Sequence, residues 1–191
     1  MLRRLLPVLL LGCAILAAPA VSAEPPPIDD YAYDPAKECR KRPTPGALAL
    51  VEWLERNSSG VSWGIMRCEK WGRNRASLHA EGRAVDWHLD AARPGDRREA
   101  RRLIDLLLAT DSAGNPHALA RRMGIQEIIW NCRSWWSGSE RMGLYSACFT
   151  EKGRRRKNVD RTTAHRDHIH FGLSWAGARK RTSFWRLEPA P

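Results

Sequence analysis

Ser77-Leu78-His79-Ala80-Glu81-Gly82-Arg83-Ala84-Val85-Asp86-Trp87-His88-Leu89 changes character halfway along. As far as Gly82 it is short and turn-like, and glycine lets the chain bend sharply there. From Ala84 onward it alternates. Val85, Trp87 and Leu89 share one face of a strand, and Asp86 and His88 share the other. A distant stretch, His168-Ile169-His170-Phe171-Gly172-Leu173, alternates in the same way. His168, His170 and Gly172 lie on one side, and Ile169, Phe171 and Leu173 on the other. Each strand therefore has an apolar face to bury and a second face carrying histidine or aspartate.

The chain around these strands mixes helices with strands and lacks a regular βαβ alternation. That predicts a single α+β domain with a central antiparallel sheet and flanking helices. Thr44-Pro45 is a helix start, with Thr as N-cap and Pro in the first turn. Leu48, Val51, Trp53 and Leu54 form that helix's apolar face, and Asn57-Ser58-Ser59-Gly60 ends it. Val61 to Cys68 reads as a strand with Arg67 near its end, and Glu69 to Arg75 as a polar loop. Pro94-Gly95-Asp96 opens a second helix with Leu103, Ile104, Leu107 and Leu108 on one side. Asn115-Pro116 opens a shorter one that Gly124 stops. Ile125 to Trp130 reads as a buried strand, Glu151 to Arg161 as a charged loop, and Ser174 to Trp185 as a terminal helix and packing tail.

Two imidazoles and a carboxylate, His79, Asp86 and His170, make a ligand set for zinc that leaves a fourth position open. His168 arrives on the same strand face as His170, poised as a base or as a hydrogen-bond donor to a reaction intermediate. Asp167 is the rival base. It points to the wrong face of a regular strand but reaches the site if the strand begins late. His165 lies further out.

These residues carry a resemblance. Ser77 to Asp86 is similar to the S-x-H-x-x-G-x-A-x-D motif of the zinc D-alanyl-D-alanine carboxypeptidases. His168-Ile169-His170 is similar to the H-x-H motif of lysostaphin-type and murein endopeptidases. The resemblance covers roughly Val61 to Ser174 and implies a Hedgehog/DD-peptidase-like fold. It implies zinc on His79, Asp86 and His170, and a role for Arg67 in steadying a substrate carbonyl. Many of these carboxypeptidases carry Glu where this chain has Asp167. The Trp-rich middle, with its cysteines, also resembles secreted extensin-like domains.

The compartment is read from the start of the chain. Met1 to Ala23 has a basic start, an apolar run and a small-residue cleavage site, as in a secretory signal peptide. A lipoprotein box at Cys13 is the lesser alternative. Pro-rich residues 24–43 form a lead-in, 44–185 the domain, and 186–191 a tail. Export leaves Cys39, Cys68, Cys132 and Cys148. Of the three possible pairings, the two local closures, Cys39–Cys68 and Cys132–Cys148, are favoured. A four-cysteine zinc site lacks the usual C-x-x-C pairs.

The formal charge is +11, carried by 26 Arg and 6 Lys. A basic surface suits an anionic wall polymer and does not by itself select nucleic acid. The expectation is a secreted, monomeric zinc peptidase acting on peptidoglycan peptides, with no transmembrane segment in the mature form. The alternatives are a non-catalytic wall-binding domain on the same fold and, further off, a secreted metal nuclease.

Overall fold

The computed structural model describes residues 27–187. The expected signal peptide, Cys13 and most of the tail lie outside the described residues. Six strands form one antiparallel sheet: β1 (Val61–Gly64), β4 (Ala84–His88), β8 (His168–Leu173), β5 (Ile125–Trp130), β6 (Arg133–Trp136) and β7 (Gly143–Leu144), in that order across the sheet. β2 (Lys70–Gly72) and β3 (Arg75–Ala76) make a separate small hairpin. The helices are α1 (Pro45–Asn57), α2 (Pro94–Leu108), α3 (Ala118–Met123), α4 (Trp175–Ala178) and α5 (Ser183–Leu187). The fold is α+β, as the mixed patterning predicts.

The alternation in β4 and β8 is realised. Val85, Trp87, Leu89, Ile169, Phe171 and Leu173 enter one core with Ile125 and Ile128 of β5. Leu50, Trp53 and Leu54 of α1 and Leu103, Ile104 and Leu107 of α2 cover them. Burying each such side chain contributes roughly 1.5–3 kcal/mol. The helices thus occupy the apolar face of the sheet, and the opposite face is left for the polar residues.

Several local expectations change. α1 begins at Pro45 behind Thr44, whose side chain accepts from the Ala47 N–H. Its buried stripe uses Leu50 in place of Leu48, which is exposed. The strand expected over 61–68 stops at Gly64, the last residue to pair with β4, after a register shift between Ser62 and Gly64. Beyond Gly64 the backbone leaves the sheet, so Arg67 is not on a strand. The Ile65 carbonyl and the Arg67 N–H turn to His79 instead. The loop expected over 69–75 contains the β2–β3 hairpin, and the terminal helix is two short ones.

Both favoured disulfides are present, with Cα atoms 5.4 Å apart for Cys39–Cys68 and 5.5 Å for Cys132–Cys148. The lead-in hugs the body. Asp29 accepts from the Ser183 N–H and hydroxyl, the Asp34 carboxylate accepts from the Trp175 N–H, and Lys37 N–H donates to Glu81. Among the described residues, no helix is long and apolar enough to cross a membrane.

Candidate metal centre

The first half of the opening stretch folds into a 3-10 turn, Leu78–Glu81, capped by Ser77, whose hydroxyl accepts from the His79 N–H at 3.2 Å. Gly82 closes the turn in the left-handed region, with φ +68°. A Cβ there would lie 2.6 Å from the Arg42 carbonyl oxygen and 2.9 Å from Pro43 Cα. Only glycine suits both the backbone angle and the contact. β4 then runs antiparallel to β8 with Asp86 opposite His170 and His88 opposite His168. That register carries the carboxylate and the imidazole to one point, and the turn drops His79 over it.

Three atoms converge. His79 Nε2 is 2.9 Å from Asp86 Oδ1 and 3.0 Å from His170 Nδ1, and His170 Nδ1 is 3.1 Å from Asp86 Oδ1. All three residues are buried. The far side of each is anchored. His79 Nδ1 donates to the Ile65 carbonyl at 2.8 Å, and His170 Nε2 donates to Glu127 Oε1 at 2.8 Å. Arg67 Nη1 donates to the other Asp86 oxygen, Oδ2, at 3.1 Å.

With both rings neutral, these anchors select the tautomers in which two imidazole lone pairs and a carboxylate oxygen face one another with no hydrogen among them. Such a cluster calls for a cation. Its edges are close to the about 3.3 Å expected between ligands about 2.0 Å from a tetrahedral metal. The group can hold a metal ion, as its residue types imply.

The electrostatics agree. Burial resists charge on His170, but its hydrogen bonds to Asp86 and Glu127 outweigh that and raise its pKa to about 9. Without a metal, a proton there is the cation that the cluster holds. His79 is shifted down, chiefly by burial and also by the charge on His170. Burial would raise Asp86, but the two histidines hold it far below the ordinary carboxylate range.

His168 and Asp167 are not rivals in space. His168 Nδ1 donates to Asp167 Oδ1 at 2.8 Å, and the other Asp167 oxygen accepts from Thr162 Oγ1 at 2.8 Å. His168 Nε2 turns toward the centre, 3.5 Å from Asp86 Oδ1. Burial would raise the Asp167 pKa, but its bonds to His168 and Thr162 keep it low, so it stays an anion that orients the ring. β8 does begin late, at His168, but Asp167 reaches His168 rather than the centre.

His165 packs 4.7 Å from the His168 ring and edge-on to His170. Its pKa falls to about 3 through burial and the repulsion of His170 and His168. His88 stacks on Trp63 and bonds the Asp167 carbonyl. His117 is far off, bonded to Tyr31.

Above the centre lies an open cleft of about 740 Å³. His79, His168, His170 and Arg67 border it, with Tyr33, Trp71, Trp136 and Tyr145 among its walls. Glu127 and Thr162 also border it, and sequence reasoning missed both. Glu127 stands beside Gln126 in a strand of four apolar residues, and nothing in that pattern says which face it takes.

A family model described as VldE, C-terminal domain, matches residues 39–168, more than half of the sequence, and the chain belongs to that family. The matched span includes His79 and Asp86 and ends at His168, two residues before His170. No curated protein and no solved structure matches the chain.

Proposed function

We propose that this family member is a secreted zinc-dependent peptidase that hydrolyses amide bonds in peptidoglycan peptides. The observation that carries the reading is the convergence of His79 Nε2, Asp86 Oδ1 and His170 Nδ1 below an open cleft, beside an oriented His168. His79, Asp86 and His170 hold the metal. Bound zinc supplies Lewis acidity, polarising the scissile carbonyl and lowering the pKa of water at the site toward about 7.

The protein's own groups do the rest. His168 Nε2 accepts the proton of the attacking water and returns it to the leaving amine. Asp167 keeps the proton of the neutral ring on Nδ1, and Thr162 keeps Asp167 in place. Arg67, half-exposed at the cleft, holds Asp86 Oδ2 and borders the space that a substrate carbonyl would enter. The resemblance of the two motifs to murein peptidases supports the choice of zinc and of wall peptides. Two disulfides fit an oxidising compartment.

The test is mass-spectrometric analysis of isolated muropeptides incubated with zinc-loaded protein. One amide is expected to be cleaved, and His168→Ala to stop cleavage while retaining zinc. A loaded protein that binds muropeptides and leaves every amide intact is a wall-binding module instead.

A further inference from the structure

Glu127 reaches the back of His170 through an irregularity in β5. Ile125 pairs with Leu173, and both side chains lie in the core. Strict alternation would send Glu127, two residues on, to the same apolar side. The register instead shifts between Ile125 and Glu127, so that Glu127 pairs with Gly172 and Ile129 with His170. Ile128 returns to the core, while Glu127 and Ile129 border the cleft. An extra residue, Gln126, has been inserted into the strand, and a bulge of this kind re-aims the side chains that follow it. Gln126 is itself tied to the lead-in, accepting from the Asp34 N–H at 2.9 Å.

The space that Glu127 then occupies is the space above Gly172. A Cβ at 172 would lie 2.6 Å from Glu127 Cγ, 3.0 Å from Glu127 Cδ and 2.3 Å from Leu78 Cδ1. Cγ is mid-chain and Cδ is the carboxylate carbon itself, so neither can swing aside while the carboxylate stays on His170. The missing side chain at 172 is what lets Glu127 lie across β8.

We propose that Glu127 is a positioning residue for the metal centre, placed by the bulge at Gln126 and by the gap at Gly172. The inference rests on the metal-site reading of His79, Asp86 and His170. Glu127 does not touch the metal position. It accepts the Nε2–H of His170, so the lone pair on Nδ1 points inward and the ring cannot turn over. A carboxylate behind a ligand imidazole also makes it a stronger donor.

The experiment measures zinc affinity by competition with a chromophoric chelator, together with the cobalt(II) absorption spectrum, which reports coordination geometry. Glu127→Ala should weaken zinc binding by about 10–100-fold and alter the cobalt bands. Glu127→Gln, which keeps an acceptor of the same size, should lose less. Gly172→Ala should weaken binding as Glu127→Ala does, because its methyl displaces the carboxylate. The double variant Glu127→Ala/Gly172→Ala should bind no more weakly than Glu127→Ala alone.

Binding by Glu127→Ala within twofold of wild type, with unchanged cobalt bands, overturns the role of Glu127. Additive losses in the double variant overturn the role of Gly172. The near-isosteric Glu127→Gln keeps the comparison meaningful even if an alanine variant unfolds. A wild-type protein that takes up no zinc overturns this inference together with the metal-site reading. Normal wild-type uptake with an unaffected Glu127→Ala overturns this inference alone.

Discussion

Replacing Arg83 by alanine should destabilise the fold by about 3–5 kcal/mol, the usual cost of removing one partner from a buried ion pair. Arg83 stands between the 3-10 turn and β4 and is fully buried. Its Nε and Nη2 donate to Glu81 Oε2 at 2.9 and 2.7 Å. Nη2 also donates to the Asp34 carbonyl at 2.8 Å, and Nη1 to the Leu173 carbonyl at 2.5 Å. Its guanidinium stacks on Trp175 at 4.5 Å. One side chain thus ties the turn, the lead-in and the end of β8 together.

Glu81 is 3% exposed beside Arg83, and without that partner it keeps a single backbone donor, the Lys37 N–H. The uncompensated carboxylate is the main cost, and the bond lost at the Leu173 carbonyl adds to it, whereas the Asp34 carbonyl keeps the Gln126 amide as donor. A typical domain has only about 5–15 kcal/mol in total, so the loss is a large fraction. Urea unfolding followed by near-ultraviolet circular dichroism measures it. The double variant Arg83→Met/Glu81→Leu removes the orphaned charge and should recover most of the loss. A single-variant loss below about 1 kcal/mol, or a double variant weaker than the single one, refutes the argument.

The remaining predictions concern the turn, the disulfides and the cluster's proton. Gly82→Ala should cost at least about 1–2 kcal/mol in thermal unfolding, from the left-handed angle alone. Serine at both Cys39 and Cys68, whose bridge closes a separation of 29, should cost about 3.5 kcal/mol by calorimetry. The same change at Cys132 and Cys148, with a separation of 16, should cost about 3 kcal/mol.

Zinc must displace the proton that His170 holds up to about pH 9. Affinity should therefore fall about tenfold per unit as pH drops below that value, with proton release seen calorimetrically in buffers of different ionisation enthalpy. For the metal-free protein the sign runs the other way. The folded pKa is raised from 6.5 to about 9, so the stabilisation is complete below pH 6.5 and disappears as pH rises through about 9.

Some of this arrangement is legible in the sequence because side-chain period and residue type agree. In β4 and β8 every second residue is large and apolar, and those between are Asp or His apart from the small Ala84 and Gly172. Faces and candidate ligands can be read from that pattern, while the pairing of Asp86 with His170 is set by a register that the alternation does not give. Glu127 is not legible, because a one-residue bulge reverses the alternation inside Ile-Gln-Glu-Ile-Ile-Trp and leaves no mark in composition. Arg67 was displaced for a related reason: β1 is an exposed edge strand whose pairing stops after Gly64, before the apolar run in the sequence ends.

Apart from Cys39, the anchors of the Pro-rich lead-in are polar contacts with residues far along the chain, such as Asp29 with Ser183 and Asp34 with Gln126, and no local pattern announces them. The choice between His168 and Asp167 was a question of geometry. Adjacent residues at a strand's start can be stacked in series, and sequence spacing does not say which faces inward.

Zinc stoichiometry by elemental analysis, after loading and exhaustive dialysis, tests the central claim most directly. The account predicts one zinc per wild-type chain and none in the triple variant His79→Ala/Asp86→Ala/His170→Ala. A wild-type protein that retains no zinc, or a triple variant that retains a full equivalent, contradicts it.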